Sequence, residues 1–282
     1  MRPARRRLTN PTSDHRSRRP LAIERTAAPL ALLACLLLAP SALAAFPPHP
    51  RLLEYRIAWN GIPAAGASVA ITPGELAGRE SIVVEAKART NPFVDLFWPF
   101  RGTVRATFLR DGLTPLHFVY HRQMNGTPYL TWIDFDQERA RSVYIKGSRR
   151  RESELEGTGV IDPITAVFRA RLSGAKPGDH LRYEVWTGES RYRVELDIDG
   201  PERIDVPAGR FSALRVVPTV WKVGSQPERD TRLRQATIWV ADDPARTLLR
   251  IRSEIFIGAI TLDLVKVEPD ARTASTTPPA AG

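Results

Sequence analysis

From Arg51 onward, apolar and polar side chains alternate in short runs. Leu53, Tyr55, Ile57 and Trp59 alternate with Glu54, Arg56 and Ala58, and Ile82, Val84, Ala86 and Ala88 alternate with Val83, Glu85, Lys87 and Arg89. A period of two puts one set of side chains on each face of a strand, so these runs predict half-buried strands. The same pattern predicts strands over residues 68–72, 103–110, 116–122, 129–135 and 141–146, and later over 181–187, 191–198, 204–206, 213–221, 234–240, 247–256 and 260–267. Gly61, Pro63 and Gly66 mark a turn region, and Asp111-Gly112 and Asn125-Gly126 are hairpin signals, so local antiparallel pairing is the expected topology.

One stretch breaks the alternation. Between Ile161 and Gly178, Asp162 supplies a helix cap and Pro163 suits the first helical position. Ile164, Val167, Phe168 and Leu172 fall on one side, and Gly174, Pro177 and Gly178 end the helix. With strands on both sides, the fold class is mainly β: a large curved antiparallel sheet, barrel or half-barrel, with one packed central helix. Two smaller sheets flanking the helix are the alternative. No period of repeat-protein length stands out.

Composition changes the picture mainly at the ends. Residues 1–44 read as a signal peptide with a long basic region (Arg2, Arg5, Arg6, Arg7, Arg16, Arg18, Arg19 and Arg25), an apolar core, and cleavage after about Ala44. The core is too short to span a bilayer comfortably. The leader holds 8 of the 41 basic and 2 of the 31 acidic residues, leaving 33 against 29, a net +4, which gives no reason to invoke nucleic acid. Cys35, the single cysteine, lies in this leader in a loose lipobox, so a lipoprotein anchored through Cys35 is the alternative to a periplasmic chain. Once it is removed, disulfides and thiolate chemistry are excluded. Residues 45–268 form the expected single β-rich envelope domain, and residues 269–282, rich in Ala, Thr and Pro, read as a disordered tail.

Candidate chemistry is sparse. His117 and His121 sit about 13 Å apart on an extended strand, too far to share a metal ion. Asp134, Asp136 and Glu138, and Glu152, Glu154 and Glu156 after Arg149, Arg150 and Arg151, read as turn residues and cross-strand charge pairs rather than as acid and base. No nucleophile elbow, phosphate loop, dinucleotide turn or zinc-protease helix is present, so no catalytic residue, metal site or cofactor is assigned. The run Asn91–Phe100 instead places Phe93, Phe97, Trp98 and Phe100, with Leu96, between two strands. It is read either as a core plug or as the lip of an apolar pocket. Trp59, Trp132, Trp186, Trp221 and Trp239 are expected in the sheet core.

Several segments together carry a family resemblance: the Gly61 to Gly66 turn, Trp98-Pro99-Phe100-Arg101, Leu113-Thr114-Pro115, Ile161-Asp162-Pro163 and Val206-Pro207-Ala208-Gly209-Arg210-Phe211. Over most of residues 50–268 the chain resembles the exported proteobacterial domain-of-unknown-function family 3108, with Pro163 standing where an aliphatic residue is more usual. The resemblance implies an envelope protein, more distantly similar to the half-barrels of the lipoprotein carriers LolA and LolB. The expectation is a non-enzymatic module holding a lipid or lipoprotein acyl chain in a concave sheet, with Phe93, Leu96, Phe97, Trp98 and Phe100 as ligand-binding lip. The alternative is a structural or assembly partner of another envelope protein, and an enzyme comes third.

Overall fold

The structure, a computed structural model, describes residues 51–136, 138–157, 159–224, 236–254 and 258–269. The expected leader with Cys35, His49, and the tail beyond 269 lie outside the described residues. The first half runs β1 (Arg51–Trp59), β2 (Ile62–Leu76), β3 (Arg79–Thr90), a short helix α1 (Pro92–Asp95), β4 (Phe100–Leu109), β5 (Pro115–Met124), β6 (Thr127–Phe135), β7 (Arg139–Lys146) and β8 (Arg149–Glu156). A two-residue β9 (Val160–Ile161) leads into α2 (Pro163–Leu172). The second half is β10 (His180–Trp186), β11 (Arg191–Val206), β12 (Gly209–Lys222), β13 (Ala236–Ala241), β14 (Leu248–Glu254) and β15 (Ala259–Pro269).

All fifteen strands form one sheet, ordered β8-β7-β6-β5-β4-β3-β2-β1-β15-β14-β13-β12-β11-β10-β9. Every pairing is antiparallel except β9 with β10. Each half is a meander of neighbours in sequence, the cheapest pairing in loop entropy, and β1 against β15 joins the halves in the middle. The alternative of two separate sheets is thus excluded. The sheet curls until the strands near its two ends meet through side chains. Trp186 of β10 packs with Ala106, Phe118, Ile133 and Ala140 of the first half, and the buried Ser142 hydroxyl donates to the Gly188 carbonyl at 2.6 Å. A Cβ at Gly188 would lie 2.6 Å from a Thr131 methyl group, and its φ is +84°, so this closure needs glycine twice over.

Helix α2 forms where the sequence predicts it. The Asp162 carboxylate accepts from the backbone N–H groups of Ile164 and Thr165 at 2.8 and 2.9 Å, and from the Thr165 hydroxyl. Asp162 is fully buried, and burial raises its proton affinity above the usual carboxylate range against the opposing pull of those donors. Ile164, Phe168 and Leu172 pack into the main core beside Leu53, Ile82, Val84, Phe108, Leu249 and Leu264, and the Phe168 and Phe108 rings lie 5.1 Å apart. The helix is also stitched to both halves by its arginines. Arg169 Nε donates to the Leu113 carbonyl of the β4–β5 turn, whereas Arg171 donates to the carbonyls of Ala245 and Arg246 before β14.

The structure corrects several expectations in detail. Residues 62–66 belong to β2, because only Asn60-Gly61 is needed to turn the chain. Residues 191–206 are one strand, since the ladder to β12 absorbs Gly200-Pro201 as an irregularity between Ile198 and Pro201. The helical stripe is also different: Val167 is 47% exposed while Thr165 and Ala166 are buried. Trp59 and Trp132 are exposed rather than core. The sheet's edge strand β8 carries three arginines followed by three glutamates at alternate positions, a charged edge that resists pairing with other chains.

Candidate ligand-binding surfaces of the concave face

Because paired residues in a ladder point to the same side, the register shows what lines the concave face row by row. In the second half one row reads Ile198, Val216, Ile238, Ile251 and Leu262 across β11, β12, β13, β14 and β15. Every member is a large aliphatic. Together with Val194, Leu196, Leu214 and Val240 these residues face α2, whose Ala166 and Ala170 are too small to fill the gap. A cavity of about 250 Å³ remains between helix and sheet. Its lining is almost wholly apolar, with Tyr183, Arg171 and Arg246 supplying the few polar groups. Val167 also lines it, so its exposure is toward this cavity. For comparison, an apolar cavity of roughly 150 Å³ stays dry and accepts a benzene-sized guest.

The equivalent stretch in the first half is built from different side chains. A row from β15 to β6 reads Leu264, Tyr55, Ala67, Ala88, Gly102, Arg122 and Tyr129. Three consecutive small residues leave the backbone bare, and an open groove of about 960 Å³ lies over them. Tyr55 stands between the two spaces. It lines the groove, and its hydroxyl donates at 3.1 Å to the carbonyl of Leu248, a residue of the apolar cavity. Burial pushes the Tyr55 phenol well above its usual range, so it stays a protonated donor. At the far side the Arg122 guanidinium lies 5.2 Å from the Tyr120 ring centroid and 4.7 Å from that of Tyr129, and its buried Nε has no hydrogen-bond partner among the described residues.

The sequence-predicted lip lies at the end of this groove. Asn91 caps α1 by accepting from Val94 N–H and donates to the Pro63 carbonyl. Asp95 accepts from Arg101 at 2.6 and 2.9 Å and from the Thr90 hydroxyl at 2.5 Å, and these hydrogen bonds hold its carboxylate down at about 2. This clamp fixes the loop's base while its apolar side chains project. Phe93, Leu96, Phe97 and Trp98 are 64%, 77%, 75% and 50% exposed, which rules out the core-plug reading. Phe100 is the member that turns inward: a Cβ on Gly102 would come within 2.8 Å of its ring, and Trp98 stacks on it at 6.5 Å. None of the five lines the apolar cavity of the second half.

The polar candidates are placed on the convex side. His117 bonds Asp134 at 2.7 Å and meets Trp132 edge-on, while by register His121 shares its outward face. Asp136 accepts from the backbone of Glu138 and Arg139 in a turn, Glu152 pairs with Arg150, and Glu154 pairs with Arg139 and Arg141. Among the described residues no group of three or more His, Cys, Asp or Glu is placed to hold a metal ion.

The sequence matches one family model, a protein of unknown function, over residues 54–265. The chain belongs to the DUF3108 family. Among curated proteins none matches this DUF3108 chain. Among solved structures it is similar to a β-barrel-like protein of domain-of-unknown-function family DUF1849 from Brucella abortus, at 9% identity and TM-score 0.53, covering 78% of this chain and 98% of that one. It is also matched by the hypothetical lipoprotein YmcC from Escherichia coli, at 12% identity and TM-score 0.29, covering 86% and 98%. The first likeness shows that the curved-sheet fold extends beyond DUF3108.

Proposed function

We propose that this DUF3108 protein is a non-enzymatic cell-envelope module that holds an apolar chain, a lipid tail or a lipoprotein acyl chain, on its concave face. The observation that carries the reading is the cavity of about 250 Å³ between α2 and the aliphatic rows of β10–β14. A preformed concave space with apolar walls and few polar groups is the usual form of a small-ligand site. The exported location rests on the leader read from residues 1–44. In this reading the exposed Phe93, Leu96, Phe97 and Trp98, with Phe100 behind them, form the apolar lip at which a chain is received. The same exposed aromatics support the second reading, an assembly partner that binds another envelope protein through this loop.

Native mass spectrometry with lipid extraction tests the two against each other. Wild type is expected to carry an apolar molecule, or to take one up from phospholipid vesicles. Ala170→Trp, which fills the cavity from the helix side, is expected to lose it with circular dichroism unchanged. If wild type carries nothing and takes up nothing, the carrier reading fails and cross-linking through the Phe97 loop becomes the next measurement.

A further inference from the structure

The segment 149–156, Arg-Arg-Arg-Glu-Ser-Glu-Leu-Glu, looks in sequence like a self-compensating charged strand. The register separates it. Arg149 pairs with Lys146 and Arg151 with Tyr144, and through β6 and β5 these continue the rows of Tyr129 and Arg122, and of Thr131 and Tyr120. Arg149 and Arg151 therefore stand on the concave side. Arg150, Glu152, Glu154 and Glu156 stand on the convex side, where Glu152 and Glu154 are engaged by Arg150, Arg139 and Arg141. The acids of β8 are spent on the outside. The concave face of β5–β8 keeps Arg122, Lys146, Arg149 and Arg151 interleaved with Tyr120, Tyr129 and Tyr144, and it carries no carboxylate on these rows.

Two of the cations there, Arg122 and Lys146, rest on rings instead of acids. Lys146 Nζ lies 5.4 Å from the Tyr129 centroid, on whose ring Arg122 also rests. None of Arg122, Arg149 and Arg151 has an ion-pair partner among the described residues, and the buried Arg122 Nε is without any acceptor. Arg122 also lines the open groove over Ala67, Ala88 and Gly102. A groove that Arg122 lines with an unpaired nitrogen, next to β5–β8 rows whose further cations have no carboxylate beside them, is complementary to an anion.

We propose that the Arg122 end of this groove is a binding site for a phosphate group, with Arg122 as its anchor and with Lys146, Arg149 and Arg151, next along the same face on β7 and β8, as further cations. The guanidinium fork of Arg122, positioned by two tyrosine rings, supplies directed donors, and the other three supply charge. The phosphate comes either on a polar molecule or as the head of an amphiphile whose tail crosses Tyr55 into the apolar cavity. The second source rests on the carrier reading, and the first does not.

The test is calorimetric titration of the full chain at low salt with inorganic phosphate and with dodecyl phosphate, on wild type, Arg122→Gln, Arg151→Gln and Arg150→Gln. Saturable phosphate binding that weakens tenfold or more in Arg122→Gln and several-fold in Arg151→Gln, but stays within twofold in Arg150→Gln, establishes the site. Arg150 is the control because it removes the same charge from the same strand on the opposite face. Arg151→Gln, on an exposed edge strand, keeps the test decisive if Arg122→Gln fails to fold. Absence of saturable binding, or equal weakening by Arg150→Gln, overturns the proposal. Within a positive result, dodecyl phosphate binding tenfold tighter than phosphate, with the advantage abolished by Ala170→Trp, identifies an amphiphile. Equal affinity identifies a polar phosphate compound and leaves the site standing while removing its link to the apolar cavity.

Discussion

The two halves of the concave face share one backbone plan, an antiparallel meander packed against the same helix, yet they present opposite chemistry. In the second half the row Ile198, Val216, Ile238, Ile251 and Leu262 walls an apolar space under the helix. In the first half Ala67, Ala88, Gly102, Arg122 and Tyr129 leave an open, cationic groove. The backbone of a curved sheet fixes only that alternate residues face inward. What the inward face binds is decided by the volume and charge of a handful of side chains in register. The helix sharpens the contrast, because Phe168 fills the space beside Phe108 whereas Ala166 and Ala170 leave the opposite side unfilled.

The largest expected effect breaks the element that both halves share. Phe168→Ala removes a buried ring from the main core and should cost about 3–5 kcal/mol, read as a lower urea midpoint for the whole domain. Ala88→Leu adds apolar atoms but places them in the open groove, so it should change the midpoint little. Comparable losses in both would mean that the groove is filled in solution.

Gly102→Val comes next, because its Cβ would fall 2.8 Å from the Phe100 ring. Overpacking of this kind costs about 1–3 kcal/mol. The Trp98–Phe100 stack should part with it, seen as a change in tryptophan fluorescence, while uptake of an apolar ligand from vesicles stays as in wild type. Loss of that uptake would show that the two surfaces are mechanically coupled.

Asp162 tests the helix start. Asp162→Ala should cost about 1–2 kcal/mol by removing the cap. Asp162→Asn keeps an acceptor and removes a desolvated charge. Since burial raises the Asp162 pKa, the folded state favours its protonated form. That contribution is complete below the usual carboxylate pKa and is lost as pH rises through the raised value. Thermal melts of Asp162→Asn should therefore depend less on pH across that interval than those of wild type, and an unchanged pH slope would count against the assignment.

The smallest effect is local to the lip. Asp95 is depressed to about 2 by Arg101 and Thr90, so its clamp is present above the usual carboxylate range and is lost only as pH falls toward about 2. Asp95→Asn should loosen the loop at neutral pH, measured as faster amide exchange at Phe97 and Trp98, both of which donate to the Val94 carbonyl, with the melting temperature nearly unchanged. A large drop in melting temperature would mean that the lip supports the core.

Much of this was legible in the chain, for identifiable reasons. Strands such as β1 and β3 announce themselves because one face is buried and the other wet, and α2 because Asp162-Pro163 is a local start signal followed by aliphatics at helical spacing. Helix α1 was missed because four residues are too few to show a period, although Asn91 and Pro92 are the ordinary residues for its start. The aromatic lip was visible as composition, but its exposure was not. That depends on the Asp95–Arg101 clamp, which joins residues whose pairing the sequence does not announce.

The sequence by itself determined the class of fold, the place of the central helix and the membership in DUF3108, because each rests on local patterns of period, cap and motif. Only the tertiary structure decided where the two cavities lie and which charges face inward. Ala67, Ala88, Gly102 and Arg122 become neighbours only through inter-strand register, and Arg149 and Arg150 reach opposite faces because a strand reverses its side chains at every residue.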